Sequence, residues 1–181
     1  YQPGDIQSPP YWYFPFYYTN PNVSDFLQGV PLEDNKLNMD FSGNSNRMLL
    51  FSFIPEANRC LWILSPQDTN LRLLNEDMRQ LSAGSDINLI RQSNGAEPSL
   101  PESIYGKQDN QTWCYYFEKA DLARQYKQWD EIVRLWEESE SVGERADNGF
   151  ENIPFIEGYG HRENWEQVKS LTKAAKRITS G

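Results

Sequence analysis

The sequence predicts an α+β fold: a small antiparallel β-meander with one helix in the N-terminal half, followed by two tetratricopeptide-like antiparallel helical hairpins. Three observations carry this expectation. Short apolar and alternating runs between residues 37 and 64 are separated by turn residues. Beyond residue 110 the apolar positions recur at helical spacing instead. Within that helical part Trp129-Asp130-Glu131-Ile132-Val133 is answered about 36 residues later by Trp165-Glu166-Gln167-Val168, a period that stacked helical hairpins produce.

Residues 1–36 are rich in Pro, Asn and aromatic side chains, and Tyr11-Trp12-Tyr13-Phe14-Pro15-Phe16-Tyr17-Tyr18 has neither a helical nor a strict two-residue period. Prolines 9, 10, 15 and 21 exclude a long helix. The segment reads as extended, either as a strap over a core or as an aromatic belt beside a bilayer. Residues 37–91 form the β-rich subdomain. Leu37 to Phe41 alternates, Gly43-Asn44-Ser45-Asn46 makes a turn, and Met48–Ile54 and Cys60–Leu64 are apolar runs joined by a loop of hairpin length. Apolar residues at 71, 74, 78 and 81 predict a helix stopped by Gly84, and Ile87–Ile90 a fourth strand.

Residues 92–110 are rich in Ser, Gly and Pro and read as a loop. The helical-hairpin subdomain occupies 111–178, with helices over 112–126, 129–141, 151–162 and 165–178. Trp129, Ile132, Val133 and Trp136 make one apolar stripe, and Trp165, Val168 and Thr172, with Leu171 beside them, make its counterpart. Ala120 and Ala123 permit close helix approach. Trp129 and Trp165 are expected to wedge against the first helix of their own hairpins.

The 181 residues suffice for a core without metals or staples. They open on Tyr1 rather than a methionine, which reads as a processed or excised segment, and no apolar run reaches the roughly 20 residues of a membrane span. As given, the chain reads as soluble. With 17 Lys+Arg against 26 Asp+Glu the net charge is −9, and no basic cluster with interleaved aromatics offers a phosphate-tracking surface, so nucleic acid is not an expected partner.

The two cysteines are too far apart for a zinc ribbon or a redox pair. Cys60 and Cys114 read either as two buried small hydrophobes or, outside the cytoplasm, as a disulfide tying the sheet to the first long helix. Such a bond would restrict the unfolded chain by about 4 kcal/mol. No metal-ligand spacing, nucleophile elbow, phosphate loop or dinucleotide fingerprint occurs, so neither metal nor cofactor is expected. The single histidine, His161, sits at a predicted helix end, where a surface or capping role suits it. Asn22-Val23-Ser24 and Asn110-Gln111-Thr112 match the N-glycosylation pattern, which is too short to be informative alone.

The stretch Thr112-Trp113-Cys114-Tyr115-Tyr116-Phe117-Glu118-Lys119-Ala120-Asp121-Leu122-Ala123-Arg124-Gln125, then Trp129-Asp130, then Pro154-Phe155-Ile156-Glu157-Gly158-Tyr159 resembles the soluble C-terminal region of bacterial multispanning membrane proteins of the glycosyltransferase or mannosyltransferase type. Arg59-Cys60-Leu61-Trp62-Ile63-Leu64-Ser65-Pro66 is similar to a Cys-Leu-Arg-Val-Leu-Asp-Pro segment there, and the likeness spans roughly residues 30–177. The helices also resemble tetratricopeptide hairpins, although Ile132 stands where a small alanine is usual.

The resemblance implies that sugar transfer belongs to a membrane portion upstream and that this segment lies on the extracytoplasmic face. It would be an accessory domain without its own activity, positioning an acceptor, a glycan or a protein partner. The alternative is a carbohydrate-binding module stacking sugars on Trp12, Trp113 and Tyr159. Under either reading, binding is sought on the first helices of the hairpins, around Trp113, Tyr116 and Tyr159. A hydrolase built on His161 and a nearby carboxylate is the third possibility.

Overall fold

The computed structural model describes residues 23–36, 39–53, 60–90, 101–106 and 112–179, and every structural statement below concerns these. The fold is α+β. Seven α-helices and two two-stranded sheets are arranged in two compact units, described in turn.

The first unit contains the described residues up to Leu50 together with Ser65–Asp86. It opens with helix α1 (Val23–Gln28), and Gly29 at φ +88° reverses the chain into an antiparallel hairpin of β1 (Pro31–Lys36) and β2 (Met39–Asn44). The register runs from Pro31↔Asn44 to Lys36↔Met39. The buried Ser45 hydroxyl fastens α1 to the hairpin: it donates to the Phe26 carbonyl at 2.8 Å and accepts from the Val30 N–H at 2.8 Å. A capping box follows, in which Asp68 accepts from the Ser65 N–H at 2.7 Å and from its hydroxyl at 2.8 Å. Asn75 caps α2 (Glu76–Ser82) through the Met78 N–H. Leu71, Leu74 and Leu81 are buried.

Here the structure corrects several expectations. The helix expected from residue 71 begins at Glu76, because Leu71 and Leu74 reach the core from the turns that follow the 3-10 segment Pro66–Asn70. The first strand starts at Pro31, inside the stretch read as an extended strap, and Gly43 and Asn44 lie in β2 rather than in a turn. Ile87–Leu89 is a 3-10 turn and not a fourth strand. The described strands form two separate pairs in place of one meander, since β3 (Leu50–Ser52) pairs only with β4 (Trp62–Leu64).

The second unit contains Phe51–Leu64 and the described residues from Ile87 onward. The four-residue helix α3 (Glu102–Tyr105) lies inside the segment read as loop. Four longer helices follow: α4 (Trp113–Gln125), α5 (Trp129–Val142), α6 (Ile153–His161) and α7 (Trp165–Thr179). These match the helices expected from the sequence to within two residues at every end, as helix ends allow. Two turns close the hairpins with the same geometry. Lys127 at φ 56° and Glu163 at φ 57° both adopt the left-handed conformation. Gln128 N–H donates to the Ala123 carbonyl at 2.9 Å, and Asn164 N–H to the Tyr159 carbonyl at 3.0 Å. The 36-residue echo therefore extends to individual backbone hydrogen bonds.

The core of this unit is the inner face of α4 against β4, α5 and α6. Phe117, Ala120, Ile132 and Phe155 have no exposed surface, and the Trp62 ring lies 5.0 Å from that of Phe117. Gly158 lets α6 approach α5 closely, for a Cβ there would lie 2.6 Å from Ile132 Cγ2. The large Ile132 and the missing side chain of Gly158 are thus complementary.

Candidate functional site

The Cys60 and Cys114 sulfurs are joined in a disulfide with a Cα–Cα distance of 5.0 Å, and Cys60 is buried. Beside it the Leu61 N–H donates to Glu118 Oε1 at 3.2 Å, so the strand that carries Trp62 is tied to α4 at two adjacent points. Burial pushes the Glu118 carboxyl above its ordinary range, and the Leu61 N–H partly offsets this.

Burial corrects three of the four candidate binding residues. Trp113, Tyr116 and Tyr159 are each at most 5% exposed and cannot stack on a sugar. The physical reason is that all three lie on the inward faces of α4 and α6. The Trp113 ring stands edge-on to Trp136 at 6.1 Å, and its indole N–H donates to the fully buried Glu151 at 2.6 Å. Burial, with Glu137 and Glu140 nearby, pushes the Tyr159 phenol up. Trp12 lies outside the described residues, as do Asn22 and Asn110 of the two glycosylation patterns.

The two echoing tryptophans part company. Trp129 lies flat on His161 at the end of α6, with ring centres 3.9 Å apart and planes 9° from parallel. It therefore packs on the first helix of the next hairpin. Trp165, at the equivalent position, is 59% exposed. The buried residue of α7 is Leu171, the counterpart of Leu135 in α5.

Around Trp129 the turn between α4 and α5 and the end of α6 enclose a shallow depression of about 550 Å³, lined by Lys127, Gln128, Trp129, Asp130, Glu131 and Arg162. Arg162 and Asp130 form an ion pair at 3.0 Å across it. His161 is half exposed, its nearest carboxylate is Glu157 at 4.0 Å, and one face of its ring is covered by Trp129. Such a surface offers a flat aromatic edge and paired charges of both signs, which suits contact with a polypeptide. Among the described residues no group of three or more His, Cys, Asp or Glu side chains could hold a metal ion.

No protein-family model, curated protein or solved structure matches this chain. Among the described residues no helix is long and apolar enough to cross a membrane.

Sequence reasoning missed the Trp129–His161 stack and the Asp130–Arg162 pair. Both were findable, because a 36-residue repeat brings the end of one hairpin's first helix against the start of the preceding hairpin's second.

Proposed function

We propose that this chain is a non-catalytic interaction domain on the extracytoplasmic face of a membrane, an accessory to a glycosyltransferase-like membrane portion that it helps to supply with an acceptor or a partner. The observation that carries this reading is the Cys60–Cys114 disulfide bracing the first helix of a hairpin repeat. Disulfides persist in oxidising compartments and are rare in the cytosol. Helical hairpins stacked side by side present extended surfaces to polypeptides. The resemblance of the Thr112–Gln125 and Pro154–Tyr159 stretches to membrane glycosyltransferase tails supplies the remainder of the proposal.

The test is excision of this segment from the membrane protein that carries it. Sugar transfer to a short soluble acceptor should persist, while transfer to the natural acceptor or recruitment of the partner should fall. Equal loss of both, or a gene encoding no membrane spans upstream of Tyr1, would count against the proposal.

A further inference from the structure

The two sulfurs of the Cys60–Cys114 bond belong to residues in different surroundings. Cys60, Trp62 and Leu64 alternate with Leu61 and Ile63 and are each at most 4% exposed, so Cys60 lies on the core side of its strand. Leu61, on the other side, is 37% exposed. Cys114 lies in the first turn of α4 and is partly exposed. A disulfide opens when a thiolate attacks one sulfur and expels the other, and the choice of sulfur depends on access and on which thiolate leaves more readily. Here the two factors oppose each other. Apolar burial disfavours a thiolate, which makes Cys60 the poorer leaving group. The same burial keeps an incoming thiolate from Cys60 for as long as the core is closed, whereas Cys114 can be reached without opening it. A poor leaving group slows the reaction, but a closed core stops it, so access decides and attack falls on Cys114.

We infer that Cys114 is a site of reversible thiol–disulfide exchange in the folded protein, taking small thiols as a mixed disulfide while Cys60 serves as the leaving and resolving sulfur. The incoming thiolate forms a bond to Cys114 Sγ, the electron pair of the broken bond leaves on Cys60 Sγ, and that sulfur takes a proton from water. Closure is the reverse: the Cys60 thiolate attacks Cys114 Sγ and expels the small thiolate. A second small thiol attacking the bound one would instead carry it off as its own disulfide, leave Cys114 as a thiol and complete a two-electron reduction. Opening cuts one of two adjacent ties between the strand and α4. The other, the Leu61 N–H to Glu118 Oε1 bond at 3.2 Å, remains, as does the packing of Trp62 on Phe117. Both contacts hold Cys60 within reach of Cys114, so closure is intramolecular. The inference goes beyond the interaction-domain reading and does not depend on it.

The test uses the oxidised 181-residue protein, folded in buffer, and reduced glutathione as the probe. Samples taken over time are stopped with acid, unfolded, capped with N-ethylmaleimide and digested without reduction. Mass spectrometry should find glutathione on the Cys114 peptide and maleimide on the Cys60 peptide, with Cys114 adducts in at least about tenfold excess over Cys60 adducts. The same reaction in guanidinium chloride, where both sulfurs are accessible, should give comparable amounts of the two. Urea below the unfolding transition should leave the rate of Cys114 adduct formation nearly unchanged, because the attack needs no opening of the core. Comparable adducts at both cysteines of the folded protein, or a preference for Cys60, would overturn the inference. So would a preference for Cys114 that persisted undiminished after unfolding, since burial would then not be its source. Absence of any adduct short of unfolding, or a rate climbing steeply with urea, would overturn it as well.

Discussion

Gly158 and Gly160 lie two residues apart in α6, and alanine at the two should act in opposite directions. A Cβ at Gly158 would meet Ile132 Cγ2 at 2.6 Å and Ile132 Cβ at 3.0 Å. Carbon atoms rest at about 3.5–4.0 Å, so α6 would have to withdraw from α5 by about 1 Å. Overpacking of that kind costs about 1–3 kcal/mol, set against about 1 kcal/mol gained by replacing a helical glycine with alanine. Because Cβ and Cγ2 of Ile132 are held by the α5 backbone, the upper half of the range applies and the net loss is about 1–2 kcal/mol. A Cβ at Gly160 meets only Val168 Cγ2, at an ordinary 3.9 Å, so Gly160→Ala should stabilise by up to about 1 kcal/mol. In thermal unfolding followed by helical circular dichroism, Gly158→Ala should lower Tm by about 2–8 °C and Gly160→Ala raise it by up to about 4 °C. In an Ile132→Ala background, which removes the 2.6 Å contact but keeps the Cβ at 3.0 Å, the penalty at 158 should shrink. A stabilising Gly158→Ala in the unaltered background would refute the close approach of α6 to α5.

Three further outcomes follow from the same contacts. Replacing both cysteines by serine should lower stability by about 4 kcal/mol, because the bond spans a sequence separation of 54 residues, and denaturant titration with and without reductant should reproduce the difference. Trp113→Phe should cost about 2–4 kcal/mol, since it leaves the buried Glu151 without the indole N–H it accepts; urea unfolding would show it. Glu118 has a raised carboxyl pKa in the fold, so its contribution favours the folded state below the unfolded value and is lost as pH rises through the folded value. The Tm of Glu118→Gln relative to the unaltered protein should therefore be more favourable at about pH 7 than at about pH 4, and an inverted order would show that the Leu61 N–H outweighs burial.

What could be read from the sequence divides along physical lines. The helices of the second unit were legible because Trp129, Ile132 and Trp136 lie at helical spacing and because the Trp-acid echo marks equivalent positions after equivalent turns. The β1–β2 hairpin was not, since Pro31-Leu32-Glu33-Asp34-Asn35-Lys36 carries no apolar alternation to announce a strand. Leu71 and Leu74 mimicked a helical stripe while packing from turns. The candidate site failed for a different reason. Periodicity shows that Trp113 and Tyr116 share a face, yet which face meets the core depends on β4, brought in by Cys60 from a distant part of the chain. Likewise nothing local separates Trp129 from Trp165; only the helix stacked on the first and missing from the second does so.

The proposed extracytoplasmic role rests on the Cys60–Cys114 bond, and the thiol state of the native protein tests it most directly. Protein taken from its own cellular compartment, alkylated before any reductant is added and digested without reduction, should yield the peptides of Cys60 and Cys114 as one linked species in mass spectrometry, with no alkylated thiol at either position. Recovery of both cysteines alkylated and unlinked from the natively folded protein would contradict it.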